Sequence, residues 1–150
     1  KKADIVISTN GGYPLDQNIY QAVKGMTAAE ATVNEGGVII KLAASNDGLG
    51  GDYFYHQMAD EKDIHKTMAL FLSRGRNETI PDQWQTQIFL RILMKATVVY
   101  VSSAPDEIVE DLHMIPAHSL EEALEKARKI IGRADATITA IPDGVSVIVE

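Results

Sequence analysis

Residues 3–26 read ADIVISTNGGYPLDQNIYQAVKGM, and the order of residue types in that stretch decides the fold. The first seven are short, β-branched and largely apolar, the pattern of a strand covered on both faces, as in a parallel sheet. Gly11, Gly12 and Pro14 then break the strand into a loop. From Leu15 to about Val33 the pattern turns helical, with Ile19, Val23 and Met26 at spacings of four and three making one apolar face. Gly25 lies inside that helix, where glycine costs about 1 kcal/mol relative to alanine and can kink or divide the segment.

The same order recurs downstream. GGVIIKLAA (36–44) reads as a second buried strand, and SNDGLGGDYF (45–54) as a second Gly-rich loop entering a helix. Helical patterns follow at 52–60, 61–75 and 81–96, the last with Pro81 at its start, where a missing N–H has no helical partner to lose. TVVYVSS (97–103) is a third strand, PDEIVEDLH (105–113) a short helix and MIPAH (114–118) a brief strand. Ser119 and Glu122 form a capping box for a helix that Gly132 closes. ATITAIPDG (136–144) and VSVIVE (145–150) are expected as closing strands. Strands alternating with helices predict a single α/β domain, a mainly parallel sheet doubly wound with helices on both faces.

Composition narrows the function classes. A chain of 150 residues suits one domain and buries roughly two-thirds of its unfolded surface. Its longest apolar runs fall far short of the roughly 20 residues of a membrane helix, and no secretory signal is visible. With no cysteine there is no disulfide framework, zinc-thiolate site or cysteine nucleophile, and a reducing cytoplasm is the natural setting. The formal net charge of −7 disfavours a nucleic-acid partner. The chain starts at Lys1 and runs almost at once into a strand, which reads like a cut inside a longer protein.

In open parallel sheets ligands bind beyond the carboxyl ends of the strands, and both Gly-rich loops are expected there. The first adjoins a helix N-terminus, whose free N–H groups suit an anion. Neither loop fits GxGxxG or GxxxxGK[ST], so a nucleotide domain is not supported. Gln17, Gln21 and Lys24 share the helix face opposite the apolar stripe, with Tyr20 beside them. An amide, an ammonium and a phenol suit a small carboxylate, although a solvated helix face is the commoner use of such spacing. Trp84 is the only tryptophan; core packing is its commonest use, and stacking on a flat ligand is the sharper alternative. His56, His65, His113 and His118 show neither HExxH nor a metal-type grouping, and His56 is the one nearest a loop. Asp47 and Asp52 could form a carboxylate pair, but Asp47-Gly48 is an ordinary turn. No GxSxG elbow appears. Residues alone reach a small-anion site at a sheet edge and no reaction.

NGGYPLDQNIYQAVKGM (10–26), EGGVIIKLAASNDGLGGDYF (35–54) and DQWQTQIFLRILMKATVVYVSS (82–103) closely resemble, in order and spacing, the second domain of the nickel-dependent lactate racemase family. The likeness runs over nearly the whole chain and is densest in residues 8–55. It implies the C-terminal, substrate-clamping domain of an isomerase. In that family a tethered nickel-pincer pyridinium nucleotide accepts a hydride from the α-carbon of a 2-hydroxy acid and returns it to either face. The acid and base histidines, the nickel ligand and the tether lysine belong to an N-terminal domain absent from this chain, so neither a catalytic residue nor a metal ligand is expected here. By resemblance Tyr20, Gln21 and Lys24 hold substrate, and Trp84 closes over the site, where it can also stack on the cofactor. The expected partners are that N-terminal domain and a small 2-hydroxy acid, and the isolated domain is expected to be inactive. The alternative, from another class, is a non-catalytic small-carboxylate-binding or interaction domain on the same fold.

Overall fold

The computed structural model describes residues 1–149. Its elements run β1 (Ala3–Ser8), α1 (Ile19–Thr32), β2 (Val33–Leu42), α2 (Asp52–Ala59), α3 (Ile64–Ser73), α4 (Gln83–Lys95), β3 (Thr97–Val101), α5 (Asp106–Asp111), β4 (Ile115–Ala117), α6 (Leu120–Ile131) and β5 (Ile138–Ile141). The strands form one five-stranded sheet in the order β4-β3-β2-β1-β5, and every neighbouring pair is parallel. The expected α/β fold is therefore present. The apolar runs of β1, β2 and β3 occupy its centre, and the short β4 and β5 occupy its edges, where few unpaired backbone groups are left for unwanted pairing.

Helices cover both faces. One face packs Val6, Ile39 and Val98 against Ile19, Val23 and Met26 of α1 and Phe89 and Ile92 of α4, all without solvent exposure. On the other face α6 lays Ala123 and Ala127 against Ile5, Val38, Ile40 and Val99. Each aliphatic side chain so buried stabilises the fold by about 1.5–3 kcal/mol relative to exposure. Parallel β2 and β3 are reached by crossovers on the first face. The last crossover, through α6, runs back over the second face to place β5 beside β1, so the sheet is wound from β1 in both directions.

Several boundaries differ from the sequence expectation. The first helix starts at Ile19 rather than Leu15, because the Asn18 side chain accepts the Gln21 N–H at 2.9 Å and makes Asn18 the N-cap. Gln17 consequently lies in the preceding turn, and its carbonyl accepts the Asp47 N–H at 2.7 Å. The helix ends at Thr32, since Val33 is already extended and opens β2, three residues earlier than the expected strand at 36–44. Ala3 pairs with Val33 and Ile5 with Val38, so residues 34–37 bulge out of the ladder. Pro81 precedes the N-cap of α4 instead of opening the helix; the cap is Asp82, in the left-handed region at φ 60°. The segment 145–149 forms no strand, because β5 already takes the free edge of β1 and Ile148 stands in solvent. Glu150, the last residue of that expected strand, lies outside the described residues. The cap of α6 matches expectation, with the Glu122 N–H donating to Ser119 Oγ at 3.1 Å and Gly132 left-handed at its end.

Candidate functional site

Both Gly-rich loops do reach the carboxyl ends of β1 and β2, but they serve each other. The carbonyls of Gly48 and Leu49 accept the N–H groups of Ile19 and Tyr20 at 3.1 and 3.0 Å, Asn18 takes that of Gln21, and Ala22 is bonded within the helix. The orphan donors that every helix start leaves over are thus consumed at α1. This corrects the expectation of an anion site made by its backbone N–H groups: the loop of Gly48 and Leu49 fills them, so any anion must be met by side chains. Gly50 allows the fit, with φ 79° and no room for a Cβ against the Asn18 amide.

Those side chains gather on the outer side of α1. Tyr20 stands between the buried Phe54, which its ring meets edge-on at 5.6 Å, and Trp84 of α4, met edge-on at 6.3 Å. Trp84 is 54 % exposed, so it is no core residue. The Lys24 Nζ lies 5.7 Å from the centre of the Tyr20 ring, and Lys24 is exposed with no ion pair among the described residues. Tyr20 donates its hydroxyl to Asp82 Oδ1 at 3.2 Å, and burial followed by that carboxylate pushes its ionisation up, so it remains a neutral donor. Asp82 makes no side-chain cap to α4; its left-handed backbone turns the carboxylate to Tyr20 instead. Gln85 Nε2 donates to the Tyr20 carbonyl at 2.7 Å and ties α4 to α1.

The structure therefore brings Tyr20, Lys24 and Trp84 into one patch. Gln21 follows Tyr20 on the same turn, half-buried; its main chain is anchored at N–H and carbonyl, and its side-chain amide makes no hydrogen bond among the described residues. Gln17 does not join them, being outside the helix. The histidines are dispersed: His56 pairs with Asp60 at 3.5 Å, His118 with Asp106 at 3.4 Å, and His113 Nε2 is 2.8 Å from the Met58 carbonyl. Asp47 and Asp52 are both exposed, Asp47 in the loop and Asp52 at the start of α2.

A separate groove of about 600 Å³ runs along the carboxyl edge of β1, β2 and β3, between Thr9, Asp16, Asn46, Ser102, Ser103 and His118. Two of its polar groups are spent on the backbone: Ser103 Oγ donates to the Ala44 carbonyl at 2.6 Å, and Asp16 accepts from the Ala44 N–H. The one full charge among them is the Asp16 carboxylate, which repels an anion. The Lys24 patch carries the sign that is complementary to a carboxylate.

Sequence reasoning passed over Lys41. It lies within the apolar run of β2 and has no solvent exposure; its Nζ donates to Asn10 Oδ1 at 2.6 Å, with Ser8 Oγ at 3.5 Å. Burial pushes its ammonium down to about 7, against the pull of Asp143 and Asp16. The signal was a lysine among aliphatics in a strand covered on both faces.

The chain has clear relatives among known proteins. A family profile described as the lactate racemase C-terminal domain matches residues 1–149. The lactate racemase of Thermoanaerobacterium thermosaccharolyticum is 55% identical over 151 residues, covering 100% of this chain and 35% of that protein. That of Lactiplantibacillus plantarum is 55% identical over 148 residues, covering 98% and 35%. The solved structure of the lactate racemase apoprotein from T. thermosaccharolyticum superposes with a TM-score of 0.96 at 54% identity, over 100% of this chain and 36% of that one. The chain spans about a third of the length of the relatives it matches. It belongs to the lactate racemase C-terminal domain family.

Proposed function

We propose that this chain is the substrate-holding domain of a racemase or epimerase acting on a 2-hydroxy acid. The observation that supports the reading best is the Lys24 ammonium, exposed and without an ion pair among the described residues, beside a Tyr20 ring that Trp84 also meets, on a chain of this family. The two enantiomers of a 2-hydroxy acid differ only in how three groups are arranged about the α-carbon, and both carry the carboxylate. An anchor on the carboxylate can hold either in one place while hydrogen leaves and returns at the α-carbon. Lys24 supplies that anchor by charge, and Gln21, one turn away, has a free amide to orient it. The Tyr20 and Trp84 rings shield the ion pair from water, which strengthens it, and Trp84 has the exposure needed to close over a bound ligand.

Among the described residues no three His, Cys, Asp or Glu side chains come near enough to hold a metal ion. These residues do not fit nickel, and a nickel-pincer cofactor would take its ligands from another domain of the full-length protein. This chain's part is binding and orientation, and the isolated domain is proposed to be inactive. The lack of cysteine suits a cytoplasmic setting.

The test uses the full-length protein, loaded with cofactor and incubated with single enantiomers of a panel of 2-hydroxy acids, with products resolved by chiral chromatography. At least one acid should approach equal amounts of both hands from either side. Binding of an acid by titration calorimetry with no interconversion across the panel would replace this reading with a carboxylate-binding module.

A further inference from the structure

Lys41 occupies a place where an aliphatic side chain is expected. An ammonium taken out of water costs several kcal/mol unless it is well paired, and here its close partners are neutral, Asn10 and Ser8. The ionisable groups that face it are Asp16 in the turn before α1, Asp143 in the loop after β5, and Tyr100, its register neighbour on β3, whose hydroxyl is 2.7 Å from Ser45 Oγ. A methionine would fill the same space without that cost.

What the ammonium does is local. An asparagine amide has two orientations of nearly equal shape, and an ammonium, which only donates, accepts just the one that turns Oδ1 toward it. With Oδ1 on Lys41, the Asn10 Nδ2 faces the opposite way and donates to the carbonyls of Leu15 at 2.5 Å and Gln21 at 2.8 Å. These bonds fix both ends of the turn that leads into α1. Gly25 leaves the space for the arrangement, since a Cβ there would overlap Asn10 Oδ1 and Lys41 Nζ.

Resting on the reading that Gln21 and Lys24 hold substrate, we propose that Lys41 is a positioning residue for that site: it sets the Asn10 amide, which fixes residues 15–21 and hence the binding end of α1. The tie runs from the sheet interior to the site through one side chain.

The experiment takes the full-length, cofactor-loaded protein and its Lys41→Met and Asn10→Asp variants. It reads hydrogen exchange by mass spectrometry at one pH, together with KM and kcat for lactate or another 2-hydroxy acid the unaltered protein turns over. In Lys41→Met, amides of residues 15–21 should exchange about tenfold faster, as the loss of one or two hydrogen bonds implies, while β1 to β3 keep their protection. KM should rise about tenfold with kcat within about threefold. Asn10→Asp gives the ammonium an anionic partner but removes both N–H donors. It should leave the sheet at least as protected while residues 15–21 loosen and KM rises, and it decides the matter if Lys41→Met does not fold. Unchanged exchange at residues 15–21, equal loosening of turn and sheet, or an unchanged KM would overturn the proposal. A full-length protein that turns over no 2-hydroxy acid defeats the racemase reading instead, and the exchange pattern still decides whether Lys41 holds the turn.

Discussion

The Lys24 ammonium lies 5.7 Å from the centre of the Tyr20 ring, and Trp84 meets the same ring edge-on at 6.3 Å. A cation near the face of a phenol gains roughly 0.5–1 kcal/mol at an exposed site. That is enough to bias where a long, flexible side chain points and too little to hold it against a carboxylate. Lys24 is therefore pre-aimed and still free to bind.

Replacing Lys24 by alanine removes a charge-assisted bond of about 1.5–3 kcal/mol to the substrate carboxylate. KM for the 2-hydroxy acid should rise about 10- to 100-fold with a smaller change in kcat, measured on the full-length, cofactor-loaded protein. Lys24→Arg should recover part of the loss, because the charge stays while the fork geometry differs. A Lys24→Ala protein with an unchanged KM would remove Lys24 from the site.

The fold was legible where local chemistry suffices. β1, β2 and β3 are runs of Val and Ile that only a doubly covered sheet accommodates, and Ile19, Val23 and Met26 mark the face of α1 that packs on it. Of the candidate site, the residue types were legible and their grouping only in part: Tyr20, Lys24 and Trp84 form one patch, whereas Gln17, expected on the same helix face, lies outside α1. What could not be read was long-range. Nothing near Ile19 announces that Gly48 and Leu49 take its first N–H groups, and nothing in VSVIVE says that the edge of β1 is already occupied. Pairing is a property of two segments, and periodicity describes one.

Gly25 sets propensity against packing. Alanine there would gain about 1 kcal/mol of helix propensity, but its Cβ would overlap Asn10 Oδ1 and Lys41 Nζ. Overpacking of this kind costs about 1–3 kcal/mol, and the neighbours cannot yield without breaking their mutual hydrogen bond. Gly25→Ala should lower the urea midpoint at an unchanged m-value. A raised midpoint would show that α1 can shift outward and that the contact is not tight.

Asp4 makes the fold sensitive to acid. Its carboxylate accepts the Thr137 N–H at 2.8 Å, the Thr137 hydroxyl at 2.7 Å and the Asn34 amide at 2.9 Å, and pairs with Arg133. The Thr137 bonds lead in holding its ionisation well below the ordinary 3.8. Below that value the unfolded chain takes up a proton that the folded chain refuses, so stability present above about pH 4 is lost as the pH falls. Asp4→Asn should be less stable at neutral pH and should lose less on acidification, as urea midpoints at about pH 7 and about pH 3 would show. Equal losses in both proteins would place the acid sensitivity elsewhere.

Lys41 works in the opposite sense at the other end of the scale. Its folded value of about 7 lies below the ordinary 10.5, with burial as the leading cause. Below pH 7 both folded and unfolded chains carry the charge, and the folded one bears the full cost of burying it. Between 7 and 10.5 the unfolded chain holds more protons than the folded one, so this group makes stability rise with pH across that window. Lys41→Met removes the charge, and it should be more stable than the unaltered protein at about pH 6, with the difference shrinking toward about pH 10. Urea midpoints across that range measure the convergence. Should Lys41→Met instead be the less stable protein at about pH 6, the bonds to Asn10 and Ser8 must outweigh the desolvation of the ammonium. The lysine would then hold the sheet together as well as the turn.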